Sequence, residues 1–237
     1  MSNRLPETDL ANWSFLPAAE KRRALTAFEG PKIIKGSYEP FRRVFPDAIN
    51  QQFPLFEDGL KESGWEAIDR RLRQECKGNQ VLIDMNKAIL SAAHLYANEH
   101  SIAATGIDVV PLRFPGSLAY SFGLNLLIRY VDRTCVVFLD MRRTHGLNPN
   151  GRPFMFSAMH QRFREAYPDL AEAELEIWRF KNNKNRTLVS QASGGSFYSY
   201  DAIIADVVET HEIWESVRRG DGEMRRAAGG SPGPLFD

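Results

Sequence analysis

The chain has 237 residues, enough for one large domain or two small ones, and its 43% hydrophobic and 25% charged content belongs to a globular protein, not a disordered one. Thirty Lys plus Arg offset thirty Asp plus Glu, so the net charge is zero and a chain that is basic all over is excluded. No apolar run approaches the roughly 18 residues of a membrane span.

Residues 1–10 carry charges and turn formers where a signal peptide has an apolar stretch, which predicts a cytoplasmic protein with no membrane partner. Two cysteines, Cys76 and Cys135, come without a CxxC spacing or a His pair, so neither a disulfide framework nor a zinc finger is encoded. Phosphate-binding loops, dinucleotide-binding turns, HExxH helices and GxSxG elbows are absent from the sequence.

Pro17 opens a short helix with Leu25 and Phe28 on one face, and Gly30-Pro31 closes it. Residues 31–56 then mix Pro31, Pro40, Pro46 and Pro54 with Tyr38, Phe41, Phe45, Phe53 and Phe56. The prolines predict an irregular strap that packs on another surface or, as an apolar patch, holds a protein partner. Residues 1–60 are thus read as an N-terminal helical and aromatic arm.

The core, residues 61–218, begins with two amphipathic helices, marked by Trp65, Ile68, Leu72 and Cys76 and by Leu82, Met85, Ile89, Ala93 and Tyr96. Three strands follow, at 107–114, 118–131 and 135–139, with Asp132-Arg133 turning between the last two. A Gly/Asn/Pro loop at 146–153 leads into a helix carrying Phe156, Met159, Phe163 and Ala166, stopped by Pro168-Asp169. Residues 175–180 alternate as a half-buried strand, 181–186 turn, and 187–190 resume a strand. A last helix carries Ile204, Val207, His211 and Trp214, and the Gly/Pro-rich residues 219–237 are expected to be a disordered tail.

Read in blocks, the neutral charge is sorted. Residues 142–164 hold five arginines and no acid, residues 165–176 five acids and no base, residues 177–200 four bases and no acid, and residues 201–215 five acids and no base. Either the blocks pair across the surface, or the basic ones converge. In the second case Arg142, Arg143, Arg152, Lys181, Lys184 and Arg186 line one phosphate-binding face, with Trp178, Phe197, Tyr198 and Tyr200 interleaved as stacking platforms or core.

Asp140 ends a buried apolar run, where a charge is costly unless it is used or paired, and Arg142 two residues on would face the same side. The two form either a structural ion pair or part of a functional site. The order of elements over residues 82–180, with Gly123-Leu124-Asn125, Asp140-Met141-Arg142 and the helix end at 163–168, resembles the α-β-β-β-α-β core of the PD-(D/E)xK nuclease superfamily.

That resemblance implies an α/β fold with a mixed central sheet flanked by helices, like that of restriction endonucleases, and Mg²⁺-dependent phosphodiester hydrolysis on nucleic acid. Asp140 would hold the metal, Asn125 would assist, and Arg142 would face the phosphate. Asn125 stands where the family has Asp, and Arg142 where it has Lys, so the missing ligand is expected from Glu99 or Asp108. His145 is the candidate acid or base, near enough in sequence to join His160. The alternative is an inactive module that keeps the fold and binds nucleic acid or a protein partner.

Overall fold

The computed structural model describes residues 4–28, 38–52 and 64–220. In chain order its elements are α1 (Glu7–Trp13), α2 (Ala18–Ala27), α3 (Glu39–Ala48), β1 (Gln51–Gln52), α4 (Trp65–Glu75), α5 (Gln80–Glu99), β2 (Ala103–Gly106), β3 (Leu112–Phe114), β4 (Leu118–Tyr120), β5 (Leu126–Arg129), β6 (Thr134–Asp140), α6 (Arg152–Met159), β7 (Glu174–Phe180), β8 (Leu188–Ala192) and α7 (Tyr200–Arg218).

Six strands form one mixed sheet in the order β1-β2-β5-β6-β7-β8, and β3 and β4 form a separate antiparallel hairpin. The central pair, β6 and β7, runs parallel, and the other pairs are antiparallel except β1 with β2. Alternation along β6 divides the core. Val136 and Phe138 face a layer built by α1, α2, α6 and α7, whereas Cys135 and Val137 face α3, α4 and α5. The protein is therefore a mixed sheet covered by helices on both faces, as a buried parallel centre requires. Among the described residues no helix is long and apolar enough to cross a membrane.

The sequence and the structure part at three places. Residues 39–48, expected to be irregular, form α3. Pro40 sits in its first turn, where a missing N–H costs nothing, and Pro46 in its last turn. Phe41, Val44, Phe45 and Ala48 make the buried stripe, and the Asn86 side chain on α5 accepts from the Phe41 N–H at 3.0 Å. The remainder of the expected strap, residues 31–37 and 53–56, and the tail beyond 220 lie outside the described residues.

The expected strand at 118–131 is two strands in different sheets. Gly123, at φ +106°, breaks it, and a Cβ there would lie 2.9 Å from the Phe163 ring. The strand expected at 107–114 is likewise replaced by β2 upstream and the three-residue β3.

Helices α1 and α2 pack into the core. Lys21 of α2 is fully buried, and its ammonium lies 2.6 Å from Asp206 and 2.5 Å from Glu209 of α7. Asn12 of α1 donates to Gly146 O at 3.1 Å and accepts from the Asn148 N–H at 2.8 Å, fixing the loop that starts α6. Gly151 permits that approach, since a Cβ there would lie 2.8 Å from Asn12 Oδ1 and 2.9 Å from the Ala11 backbone. Gly151→Ala is expected to cost about 1–3 kcal/mol in urea unfolding. Gly194→Ala, with nothing within 4 Å of the added methyl, should stay within about 0.5 kcal/mol of wild type.

Candidate functional site

Parallel pairing of β6 with β7 places Asp140 beside Arg179, and the β6–α6 loop folds back over both. Asp140 is buried. Its Oδ2 accepts the Leu147 N–H at 2.6 Å, its Oδ1 accepts the Arg142 N–H at 3.3 Å, and Arg179 Nε stands 3.9 Å away. The loop closes so tightly that a Cβ on Gly146 would lie 2.5 Å from the carboxylate. Asp140 therefore organises this turn.

Arg142 points elsewhere. Its guanidinium forks onto Asp9 of α1 at 2.7 and 2.9 Å and donates to His145 O at 3.2 Å. That bidentate pair ties α1 to the end of β6. Nothing in the sequence signals Asp9 as the partner, because 133 residues separate the two. Asn125 lies just before β5, and its side-chain oxygen is engaged by Arg162 while its amide donates to Val109 O at 3.2 Å. Among the described residues no hydrogen bond or ion pair joins Asn125, Asp140 and Arg142 into one constellation. His145 is exposed at φ +54°, while His160 stacks on Phe197 with ring centroids 4.3 Å apart and lies 2.9 Å from Glu165.

The donors expected for Mg²⁺ do not converge. Glu99 ends α5, on the opposite face of the sheet from Asp140, and Asp108 is exposed between β2 and β3. Among the described residues no group of three His, Cys, Asp or Glu side chains is placed to hold a metal ion. A hard divalent cation needs several oxygen ligands, and Asp140's oxygens are already engaged by N–H donors, so this set does not fit Mg²⁺. Asp140→Asn, which turns one acceptor into a donor facing an N–H, is expected to cost about 1–3 kcal/mol of stability. Adding Mg²⁺ or EDTA should leave the wild-type melting temperature unchanged.

The basic residues do gather at this end of β6 and β7. Arg143 donates to Asn182 Oδ1 at 2.8 Å, and Arg186 is buried and donates to Met141 O at 3.0 Å. Lys181 and Lys184 are exposed on the β7–β8 turn. Burial, and beside it the neighbouring guanidinium of Arg179 or Arg143, pushes the pKa of Arg152 and of Arg186 down.

The sequence reading missed Arg162, visible there only as one member of a basic block. It is buried on the turn of π-helix at 160–165 that continues α6, and it donates to the carbonyls of Val109, Val110, Ser121 and Gly123 and to Asn125. Burial lowers its pKa to about 10, still far above neutrality, so it remains a cation held by dipoles.

Fold and site together define a mixed α/β protein in which Asp140 is engaged by backbone N–H groups and Arg142 by Asp9, with no group of three metal-binding side chains among the described residues. Residues 8–225 match the family described as the sliding clamp-binding bacterial toxin SocB, and the chain belongs to that family. It is also 28% identical over 234 residues, 97% of each chain, to the DNA replication inhibitor toxin SocB of Caulobacter vibrioides. No solved structure matches it. The whole-chain match overturns the likeness to PD-(D/E)xK nucleases and, with it, the reading as a Mg²⁺-dependent hydrolase acting on nucleic acid. The partner in the family's description, a sliding clamp, is a protein.

Proposed function

We propose that this chain inhibits DNA replication by holding a bacterial sliding clamp, and acts in the cytoplasm where that clamp works. The family match from residue 8 to residue 225 carries the reading, because the family is described by clamp binding and the relative by replication inhibition. Inhibition by occupancy asks no chemistry of the toxin. That agrees with a strand-end carboxylate engaged by backbone N–H groups and an Arg142 guanidinium engaged by Asp9.

Within the chain, the contact is assigned to the aromatic arm. Phe41 and Phe45 of the arm are buried against α5 and Phe180 and have no surface to offer. The stretch Phe53-Pro54-Leu55-Phe56 is left, directly after Gln52, the last residue of the edge strand β1. Short segments of this type bind by setting apolar anchors into a partner's pockets, and a proline lowers the entropy lost on ordering.

Clamp-dependent DNA synthesis on a primed template tests the reading. The chain should inhibit in proportion to its ratio to clamp, extra clamp should restore synthesis, and the template should remain intact in Mg²⁺. Inhibition that extra clamp does not relieve, or a cut template, would contradict it.

A further inference from the structure

A cavity of about 400 Å³ opens between the start of α6, the end of β8 and the loop leading to α7, with Arg152, Phe156, Gln191, Ser196, Phe197 and Tyr198 in its wall. That volume is within the range of small-ligand pockets.

Its polar and apolar parts are both built. The Arg152 guanidinium makes no hydrogen bond or ion pair with any described residue, and its Nε is buried without a partner. Arg179 repels it, and among the described residues the carboxylate paired with Arg179 is Asp140 at 3.9 Å, already engaged by two backbone N–H groups. Buried donors are ordinarily satisfied, and a half-buried cation next to a like charge is stabilised by an anion. The aromatic wall is held from behind. Phe197 stacks on His160 at an interplanar angle of 10°, and Tyr198 packs on Phe15 with centroids 4.1 Å apart. Gln191 and Ser196 add an amide and a hydroxyl at the rim.

We propose that this cavity binds a small anion carrying a planar ring, with the anionic group on Arg152 and the ring against Phe156, Phe197 and Tyr198. Phosphate and carboxylate share the required chemistry, so nucleoside monophosphates and aromatic keto acids are both sources of the ligand. The residues lining the cavity and residues 53–56 belong to different stretches of the chain, so each can be varied without changing the other.

Isothermal titration of the purified full chain decides the matter, with AMP and phenylpyruvate as probes and with adenosine and inorganic phosphate as their halves. At least one ring-bearing anion should bind roughly tenfold or more tightly than either half. Which of the two binds identifies the source. Arg152→Gln should weaken binding by at least about tenfold while leaving the melting temperature unchanged or raised, because the arginine has no partner to lose. Ser196→Trp, which fills the cavity from an exposed loop position, should abolish binding. The proposal is overturned if neither probe binds, if phosphate alone binds as well as AMP, or if Arg152→Gln binds like wild type.

Discussion

Replacing Arg162 by Met should remove about 3–5 kcal/mol of stability, the largest loss expected from any single side chain here. The side-chain volume is nearly kept, so the effect isolates the hydrogen bonds. Arg162 Nε reaches Val110 O at 3.1 Å, Nη1 reaches Ser121 O and Gly123 O, and Nη2 reaches Val109 O at 3.0 Å and Asn125 Oδ1. These acceptors lie on both segments flanking the β3–β4 hairpin, which pairs with no strand of the main sheet. Without the guanidinium, five acceptors would lose their donor together, and each one that water cannot reach costs about 1–3 kcal/mol before relaxation. Arg162→Lys should recover only part of the loss, because an ammonium has three donors and cannot present the planar fork. Urea unfolding with an unchanged m-value checks this; a loss below about 1 kcal/mol for Arg162→Met would show that water replaces the guanidinium.

The second large effect sits on the other face of the sheet. Glu176 is buried and accepts from Trp178 Nε1 at 2.8 Å, Ser190 Oγ at 2.7 Å, Tyr130 OH at 2.9 Å and Arg133 Nη2 at 3.0 Å. Desolvation raises its pKa, but the four donors together outweigh that and hold it below the usual carboxylate value. Glu176→Ala should cost about 3–5 kcal/mol, because Arg133 loses a buried partner and three further donors are orphaned.

Acid should act in two windows. A lowered carboxyl pKa gives stability that is present above the unfolded value near 4.5 and is lost as pH falls through the folded value. His211, buried and 2.8 Å from Tyr120 OH, has its pKa lowered by desolvation. The unfolded chain therefore takes up a proton near pH 6.5 that the folded chain refuses, and stability already declines as pH falls through that value. Urea midpoints should fall between pH 7.5 and 5.5. His211→Gln, which keeps an acceptor for Tyr120, should flatten that slope while leaving the steeper loss below about pH 4.5.

Periodicity made α4, α5, α7, β6 and β7 legible, because each carries an unbroken apolar stripe at helical or strand spacing. It failed at α3, where Phe41, Val44, Phe45 and Ala48 have helical spacing but Pro40 and Pro46 mask it; their positions in the first and last turns make them tolerable. It failed again at Gly123, where one apolar stretch serves two sheets and only the Phe163 ring packed against the glycine reveals the break.

The strand-end carboxylate and its neighbouring bases were correctly located along the chain, but their meaning was not legible. Asp140 beside Arg142 reads like a catalytic triplet in one dimension. In three, Asp140 turns to the backbone of residues 142 and 147 and Arg142 to Asp9, a partner set by the docking of α1. Arg162 carries no signal because all five of its acceptors come from residues 109–125.

The proposed clamp contact runs through Phe53, Leu55 and Phe56. The direct measurement is the equilibrium affinity of the full chain for a purified bacterial sliding clamp, with the Phe53→Ala/Leu55→Ala/Phe56→Ala variant and Asp140→Asn alongside. Wild type and Asp140→Asn should bind alike, while the arm variant should lose at least about a hundredfold, the worth of two or more apolar anchors. No binding by wild type, or full binding by the arm variant, would contradict the account.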